Sequence, residues 1–420
     1  MAYDLKITGG TVYDGDGGEP RQADIAVRDG VIVAVGDCPG EARETLDASG
    51  YIVTPGFIDL HTHYDGQVSW DPELRPSVNH GVSTVVMGSC GVGFAPVRRE
   101  DRDRLVRLME GVEDIPGIAL TEGMSWDWES LPDYLDALER KPHAIDFAVQ
   151  VTHDPLRVYV MGERAVYNEP ATPEDIAEMR RLTREALEAG AIGFSTGRSD
   201  VHRSADGEWT PASEATAEEL AGIAAAFQGL DHGVLQAVND FDLEREGDAF
   251  DREFDILETF ARGAGGRPFS LSLMQRDFAP DQWLRIIERA EKAHAKGLDI
   301  RLQVAPRGIG VITGLQCTFH PFIGFPSYKA VSNLPLAERV ARMRDPAFKR
   351  RLLAEESEKL AGDGTPVPPI VDALMAAIDY VASKTFLLGD NPDYEQTAET
   401  SVLHMAEERG IPALEMIYDL

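Results

Sequence analysis

The sequence is short of what secreted, membrane and nucleic-acid-binding proteins need. Only 3 of its 420 residues are cysteine. Cys38, Cys90 and Cys317 are too few and too scattered for a disulfide framework. No run of about eighteen apolar residues occurs, so no segment reads as a membrane span. The opening "MAYDLKITGG" lacks a basic stretch followed by an apolar one, so no signal peptide is expected. Positive charge is scarce as well: 40 Lys and Arg against 72 Asp and Glu give a formal net charge of −32. Phosphate backbones need clustered Lys and Arg, so nucleic acid is excluded as a partner. "GDGG" and "GVGFAP" carry neither the P-loop lysine nor dinucleotide-binding spacing. The expectation is a cytoplasmic protein with no membrane and no nucleic-acid partner. A homo-oligomer is left open.

What is present is an ordinary globular composition, 43% hydrophobic with 39 Gly and 25 Pro. The length allows one large α/β unit or two to three smaller domains. Residues 1–51 read as short strands and turns, a small β unit. "ADIAVRDGVIVAVG" is two strands joined at Asp29-Gly30, a strong hairpin signal. From Ile52 onward short apolar runs alternate with amphipathic helical stretches, which predicts a parallel sheet or barrel over 52–420. The runs are "FIDLHTH", "VSTVVMGSC", "IDFAVQVTH", "AIGFSTG", "GVLQAVND", "PFSLSLMQ" and "DIRLQVAP". Helices are expected from Thr172 to Ala189, from Ala217 to Gln228 and from Pro280 to Lys296. Seven runs separated by helices predict a (β/α)8 barrel whose eighth run is missing. After Pro306 a Gly- and Pro-rich stretch follows, expected as a lid or substrate loop in a long insertion over about 307–395. Within it Asp345 to Leu360 reads as a helix, with "EESEK" as a solvated face.

The sharpest local signal is "PGFIDLHTHYDG", which puts His61 and His63 one residue apart at the end of an apolar run. On a strand, residues i and i+2 share a face. Barrel active sites lie at the C-terminal strand ends, so both rings would reach the barrel mouth. Neutral imidazole is a good zinc ligand, and this placement favours a metal site over a pair of exposed turn histidines.

"TPGFIDLHTHYDG", preceded by a small β unit with "DLKITGGTVYDG" and "GVIVAVG", resembles the amidohydrolase superfamily. "GVSTVVMGSCGVGFAP" and "GAIGFSTGRSD" resemble the second- and fourth-strand motifs of its N-acyl-D-amino-acid deacylase branch. In that branch a cysteine ligates metal, and the resemblance implies this role for Cys90. Alone, Cys90 could equally be a buried structural thiol. Many relatives use a fourth-strand lysine instead; "AIGFSTGR" has none. The implied cofactor is one or two divalent ions, zinc first. The implied fold is a (β/α)8 barrel with a small N-terminal β-sandwich domain, its C-terminal part absent here.

Departures from the branch are as informative. Its fifth and sixth strands each end in a metal histidine, whereas here Gln236 to Asp240 and Gln275 to Asp277 occupy those places. The superfamily's eighth-strand aspartate has no counterpart. The chain ends "ALEMIYDL", where a helix preceding that strand would finish, and Asp419 cannot be carried over. The catalytic base is therefore unknown.

Weaker substrate candidates are His153, ending "IDFAVQVTH", and His320 in "CTFHPFIGFPSY". Arg157 and Arg307 could grip a carboxylate, against the plainer reading of surface arginines. His80, His143, His202, His294 and His404 carry no signal. The function expected is hydrolysis of a small-molecule amide by metal-activated water, with N-acyl-amino acids of the D series as substrates. The alternatives are a cyclic amide, as in hydantoinase- and dihydroorotase-like relatives, and a barrel that binds a ligand without turnover.

Overall fold

The structure, a computed structural model, describes residues 2–241, 248–277, 279–306, 308–317, 319–360, 367 and 370–420. Five strands come first: β1 Tyr3–Val12, β2 Arg21–Arg28, β3 Val31–Gly36, β4 Ala42–Asp47 and β5 Ile52–Val53. They form one sheet ordered β3-β2-β1-β4, with β5 pairing β1. The expected β2–β3 hairpin is present. Asp29 and Gly30 both take positive φ, 52° and 75°, the twist a two-residue hairpin turn requires.

Every one of the seven runs is a strand: β6 Phe57–Asp59, β7 Val82–Met87, β8 Asp146–Thr152, β9 Gly193–Arg198, β10 Val234–Asn239, β11 Phe269–Ser272 and β12 Ile300–Gln303. They lie in one sheet in sequence order, and the pairings β6–β7, β8–β9, β9–β10, β10–β11 and β11–β12 are parallel, with a register shift between Phe57 and Ile58. All of β9 is buried, and so is all of β10 beyond Val234. Both faces of these strands are covered, and their buried positions include Ser195, Thr196, Arg198, Gln236 and Asn239 as well as apolar residues.

The connecting helices are α1 Arg102–Glu113, α2 Gly117–Gly123, α3 Leu131–Glu139, α4 His153–Met161, α5 Glu163–Val166, α6 Pro173–Ala189, α7 Ala217–Ala224, α8 Ala249–Gly263 and α9 Gln282–His294. Local chemistry sets their ends. Thr172 and Asp175 form a reciprocal capping box with Pro173 in the first turn, and α6 stops at Gly190. Ile176, Met179, Thr183, Ala186 and Leu187 give α6 its buried stripe.

The chain divides into two compact units. One comprises Met1–Leu60, Glu73–Val85 and His143–Phe147; the other comprises His61–Pro72, Val86–Pro142 and Ala148–Leu420. The expected division at residue 51 therefore differs from the packing, because β6 and the first residues of β7 and β8 group with the small sheet.

The described residues between 307 and 395 do not form one open loop. Short helices from Pro326–Lys329 onward pack Phe322, Phe325, Tyr328, Met343, Phe348 and Leu352 into a core of their own. The expected helix Asp345 to Leu360 covers only Pro346–Leu353. Beyond it the Glu358 N–H is taken by the Gly324 carbonyl at 2.9 Å, a tertiary bond that ends helical pairing. Glu355 accepts from the backbone N–H and hydroxyl of Ser327, so "EESEK" is not a solvated helix face. No described helix is long and apolar enough to cross a membrane.

Candidate metal centre

His61 and His63 lie just past the end of β6, which is shorter than expected. The alternation survives because Thr62 between them stays paired: its N–H and its hydroxyl both donate to the Val86 carbonyl, at 3.1 and 2.7 Å. The two imidazoles fall on one side, ring centroids 5.4 Å apart. Cys90 comes from the turn after β7, with its own φ at 57° and Gly91 at 78°. A Cβ at Gly91 would lie 2.8 Å from the Gly197 nitrogen, so only glycine lets this turn sit against β9. The turn is also held by the Gly91 N–H on Ser195 Oγ at 3.1 Å and by the Asp154 N–H on the Gly91 carbonyl at 2.9 Å.

The donor atoms of His61, His63 and Cys90 all lie within 4.8 Å of one another. Cys90 Sγ is 3.1 Å from His61 Nε2 and 3.6 Å from His63 Nε2. Gln303, the last residue of β12, accepts from His61 Nδ1 at 3.1 Å, which leaves Nε2 as the lone-pair nitrogen facing the thiol. Glu113 Oε1 approaches His63 Nε2 at 3.2 Å. Asp65 is buried beside them.

This cluster is short of positive charge. Burial pushes the Asp65 carboxyl up to about 7, against the backbone N–H groups of Asp65 and Gly88. Burial, then Asp65, pushes Glu113 up to about 8. Burial raises the Cys90 thiol well above its usual range, and Glu113, Asp65 and Asp154 add to it. Burial holds the His63 imidazole well below its ordinary value, helped by His61 and His202. Two polar atoms, His63 Nδ1 and Asp65 Oδ2, are buried without a hydrogen-bond partner among the described residues. A divalent cation held at these atoms would stabilise thiolate, carboxylate and neutral imidazole together. The spacing agrees. With Zn–N at about 2.0–2.1 Å and Zn–S at about 2.3 Å, tetrahedral ligand atoms sit about 3.3–3.6 Å apart. The donor set fits a zinc-like ion.

The other candidates go elsewhere. His153 is not a strand-end residue: β8 ends at Thr152, and His153 opens α4. It is completely buried, with Nδ1 2.9 Å from Thr196 Oγ1 and Nε2 3.0 Å from Glu219 Oε1, so neither nitrogen is left for a metal or substrate. Arg157 is a surface residue no more than it is a substrate clamp. It is 1% exposed, its Nε 3.1 Å from Glu219, and its terminal nitrogens donate to the carbonyls of Pro211 and Glu169. Helical phase explains both corrections, since α4 turns positions 153 and 157 onto one inward face. His320 packs among the aromatic residues after β12, bonded to Tyr328 Oη at 2.8 Å and to the Phe322 N–H at 3.1 Å. It belongs to that core. Arg307 lies outside the described residues.

Sequence reasoning passed over four residues of this neighbourhood. Glu113, Asp65 and Gln303 carried no motif of their own, although Gln303 does end a strand run. His202 was set aside, yet it is close enough to His61 and His63 to act on their charge; burial brings its own imidazole down to about 4, against Asp240. At the place of the fifth-strand histidine, Asn239 donates to Glu253 at 2.9 Å, and Glu253 holds Arg198 through two contacts of 2.8 Å. The sixth-strand place holds exposed Gln275 and Asp277.

The model of the amidohydrolase family matches residues 44–419. A D-aminoacylase from Alcaligenes xylosoxydans xylosoxydans is 37% identical over 238 residues, 56% of this chain and 44% of that protein. An N-acyl-D-glutamate deacylase from the same organism is 33% identical over 311 residues, 72% of this chain and 57% of that protein. The chain thus spans about half the length of the curated relatives it matches. A solved D-aminoacylase superposes with a TM-score of 0.58 at 30% identity, covering 72% of this chain and 58% of that one. The N-acyl-D-glutamate deacylase of Bordetella bronchiseptica, solved with zinc and a phosphonate mimic of the tetrahedral intermediate, gives 0.57 at 30% identity over 73% of this chain and 59% of that one. These matches bear out the likeness to the deacylase branch drawn from the motifs. Because the family match runs over nearly the whole chain, this protein belongs to the amidohydrolase family.

Proposed function

We propose that the chain carries the metal centre of a hydrolase that cleaves the amide of N-acyl-D-amino acids. The observation that carries this reading is Cys90 Sγ at 3.1 and 3.6 Å from the Nε2 atoms of His61 and His63, gathered where the parallel strands end. We read the seven strands as part of a (β/α)8 barrel over 52–420, and residues 1–51 as part of a small β-sandwich. The β–α alternation and the superposition on D-aminoacylase support this. A cytoplasmic setting is supported by three unpaired cysteines, two of them buried.

His61, His63 and Cys90 would hold the ion. Bound there, a divalent metal supplies carbonyl polarisation and acidified water. One or two zinc ions are supported by the zinc in the related glutamate deacylase and by the binuclear metal centre reported for D-aminoacylase. Gln303 orients His61, and the Thr62 bonds to Val86 hold both imidazoles on one side. Asp65 Oδ2, buried without a hydrogen-bond partner among the described residues, would accept a proton beside them.

A cyclic-amide substrate is the second reading. It is favoured by an allantoinase from Escherichia coli O1:K1 / APEC that is 40% identical over 91 residues, 20% of this chain and 20% of that protein. The test loads the protein with zinc and measures turnover of N-acetyl-D-amino acids, their L-forms, hydantoin and allantoin. Cleavage confined to the D series supports the first reading, and turnover of the cyclic amides alone replaces it with the second. A zinc-loaded protein inert to all of them leaves a ligand-binding barrel.

A further inference from the structure

Glu113 is a carboxylate placed against every local electrostatic preference. It is the last residue of α1, where backbone carbonyls concentrate negative charge and an acidic side chain is disfavoured. Its charged neighbour Asp65 is another buried carboxyl. Its contact is the Nε2 of His63 at 3.2 Å, the nitrogen that also faces Cys90 at 3.6 Å. Glu110, one turn earlier, has an evident structural duty: its Oε1 accepts from the Gly117 N–H at 2.9 Å and so holds the start of α2. Among the described residues the contact of Glu113 is His63.

The placement is also rigidly built. Leu105, Val106, Leu108 and Met109 bury one face of α1. Gly111 brings the end of the helix so close to residues 203–205 that a Cβ there would lie 2.2 Å from the Ser204 carbonyl carbon. The Ala205 N–H donates to the Arg107 carbonyl at 2.8 Å, and Arg107 pairs with Asp206. Asp114 then turns the chain away with φ at 55°. A helix end fixed this firmly delivers Glu113 to one spot, the imidazole edge of the candidate metal centre.

We infer that Glu113 is a further ligand of the cation held by His61, His63 and Cys90, supplying a carboxylate oxygen from α1 to a set otherwise drawn from strand ends. The 3.2 Å between Glu113 Oε1 and His63 Nε2 is close to one ligand-to-ligand edge of a tetrahedral zinc site, about 3.3 Å; the cluster within 4.8 Å is His61, His63 and Cys90, and Glu113 would join it from the His63 side. Two imidazoles, a thiolate and a carboxylate make a four-donor set with two negative charges, which neutralises a divalent ion. This inference rests on the metal reading above.

The test is zinc affinity of the full 420-residue chain, read by competition with a chromophoric chelator, for wild type and Glu113→Gln. Melting temperature is measured with and without zinc. We expect wild type to bind zinc and Glu113→Gln to bind it about 100-fold more weakly. We also expect the metal-free variant to melt no lower than metal-free wild type, because a misplaced carboxylate has been neutralised, and to gain less on zinc addition. Equal affinity in the two proteins overturns the ligand role and leaves the metal centre standing. A metal-free variant that melts well below wild type, with unchanged affinity, makes Glu113 a structural partner of His63. Absence of zinc binding in wild type overturns the inference and the metal reading together.

Discussion

The cluster of His61, His63, Cys90, Asp65 and Glu113 and the cluster of His153, Arg157 and Glu219 contain much the same chemistry, imidazole and carboxylate out of water. They differ in their cations. Burial pushes Glu219 upward, but His153, Arg157 and Arg198 outweigh it, and its carboxyl ends below the ordinary range. Among the described residues no Lys or Arg acts on Asp65 or Glu113, and burial takes them to about 7 and about 8. One cluster carries its positive charge in its own side chains. The other makes sense once a cation is supplied from outside. A buried histidine therefore says little alone, and the charge balance around it separates a structural network from a binding site.

Changes on the two sides of this comparison should have opposite signatures. The largest effect is expected from Cys90→Ala. Metal analysis after dialysis should find about one or two zinc ions per chain in wild type and essentially none in the variant. Equal zinc in both would remove the distinction between the clusters.

Arg157→Met should do the reverse. Leaving Glu219 buried without its guanidinium costs about 3–5 kcal/mol, read as a lower denaturant midpoint. The zinc content of the folded fraction should stay at the wild-type level. A variant that loses zinc while keeping its midpoint would show that the two clusters act as one.

Metal removal comes next. Chelation should lower wild-type stability by about 2.7 kcal/mol relative to zinc at one hundred times its dissociation constant. The same treatment should leave Cys90→Ala unmoved.

The smallest effect concerns His320, which is buried with Tyr328 Oη and the Phe322 N–H as its hydrogen-bond partners among the described residues. Burial first, then Arg339, brings its imidazole down to about 4. The unfolded imidazole titrates near about 6.5, so between that pH and about 4 the unfolded chain binds the extra proton. Stability should accordingly be full above about pH 6.5 and fall by about 2 kcal/mol by pH 4, after allowance for solvent screening. Comparing wild type with His320→Gln by denaturation across this range isolates the term; identical slopes would refute it.

The seven parallel strands, the Asp29-Gly30 hairpin and the capped start of α6 were legible because each is written in neighbouring residues. Apolar runs, a two-residue turn and a capping box all act within a few positions. His61 and His63 were legible as a pair for the same reason, since spacing alone puts both rings on one side of an extended segment. His153 shows how narrow that margin is. One residue decides whether a side chain ends β8 or begins α4, and that residue turned an expected pocket contact into a core bond with Glu219.

By itself the sequence determined the parallel α/β plan, the His-x-His step and the presence of a thiol at the next strand end, because periodicity and turn chemistry are local. Only the tertiary structure decided the company those groups keep. Gln303 reaches His61 across 242 residues of chain, and Glu113 reaches His63 from the end of a helix with no motif to announce it. The physical reason is that desolvation and Coulomb interactions depend on distance through space, and separation along the chain does not encode it.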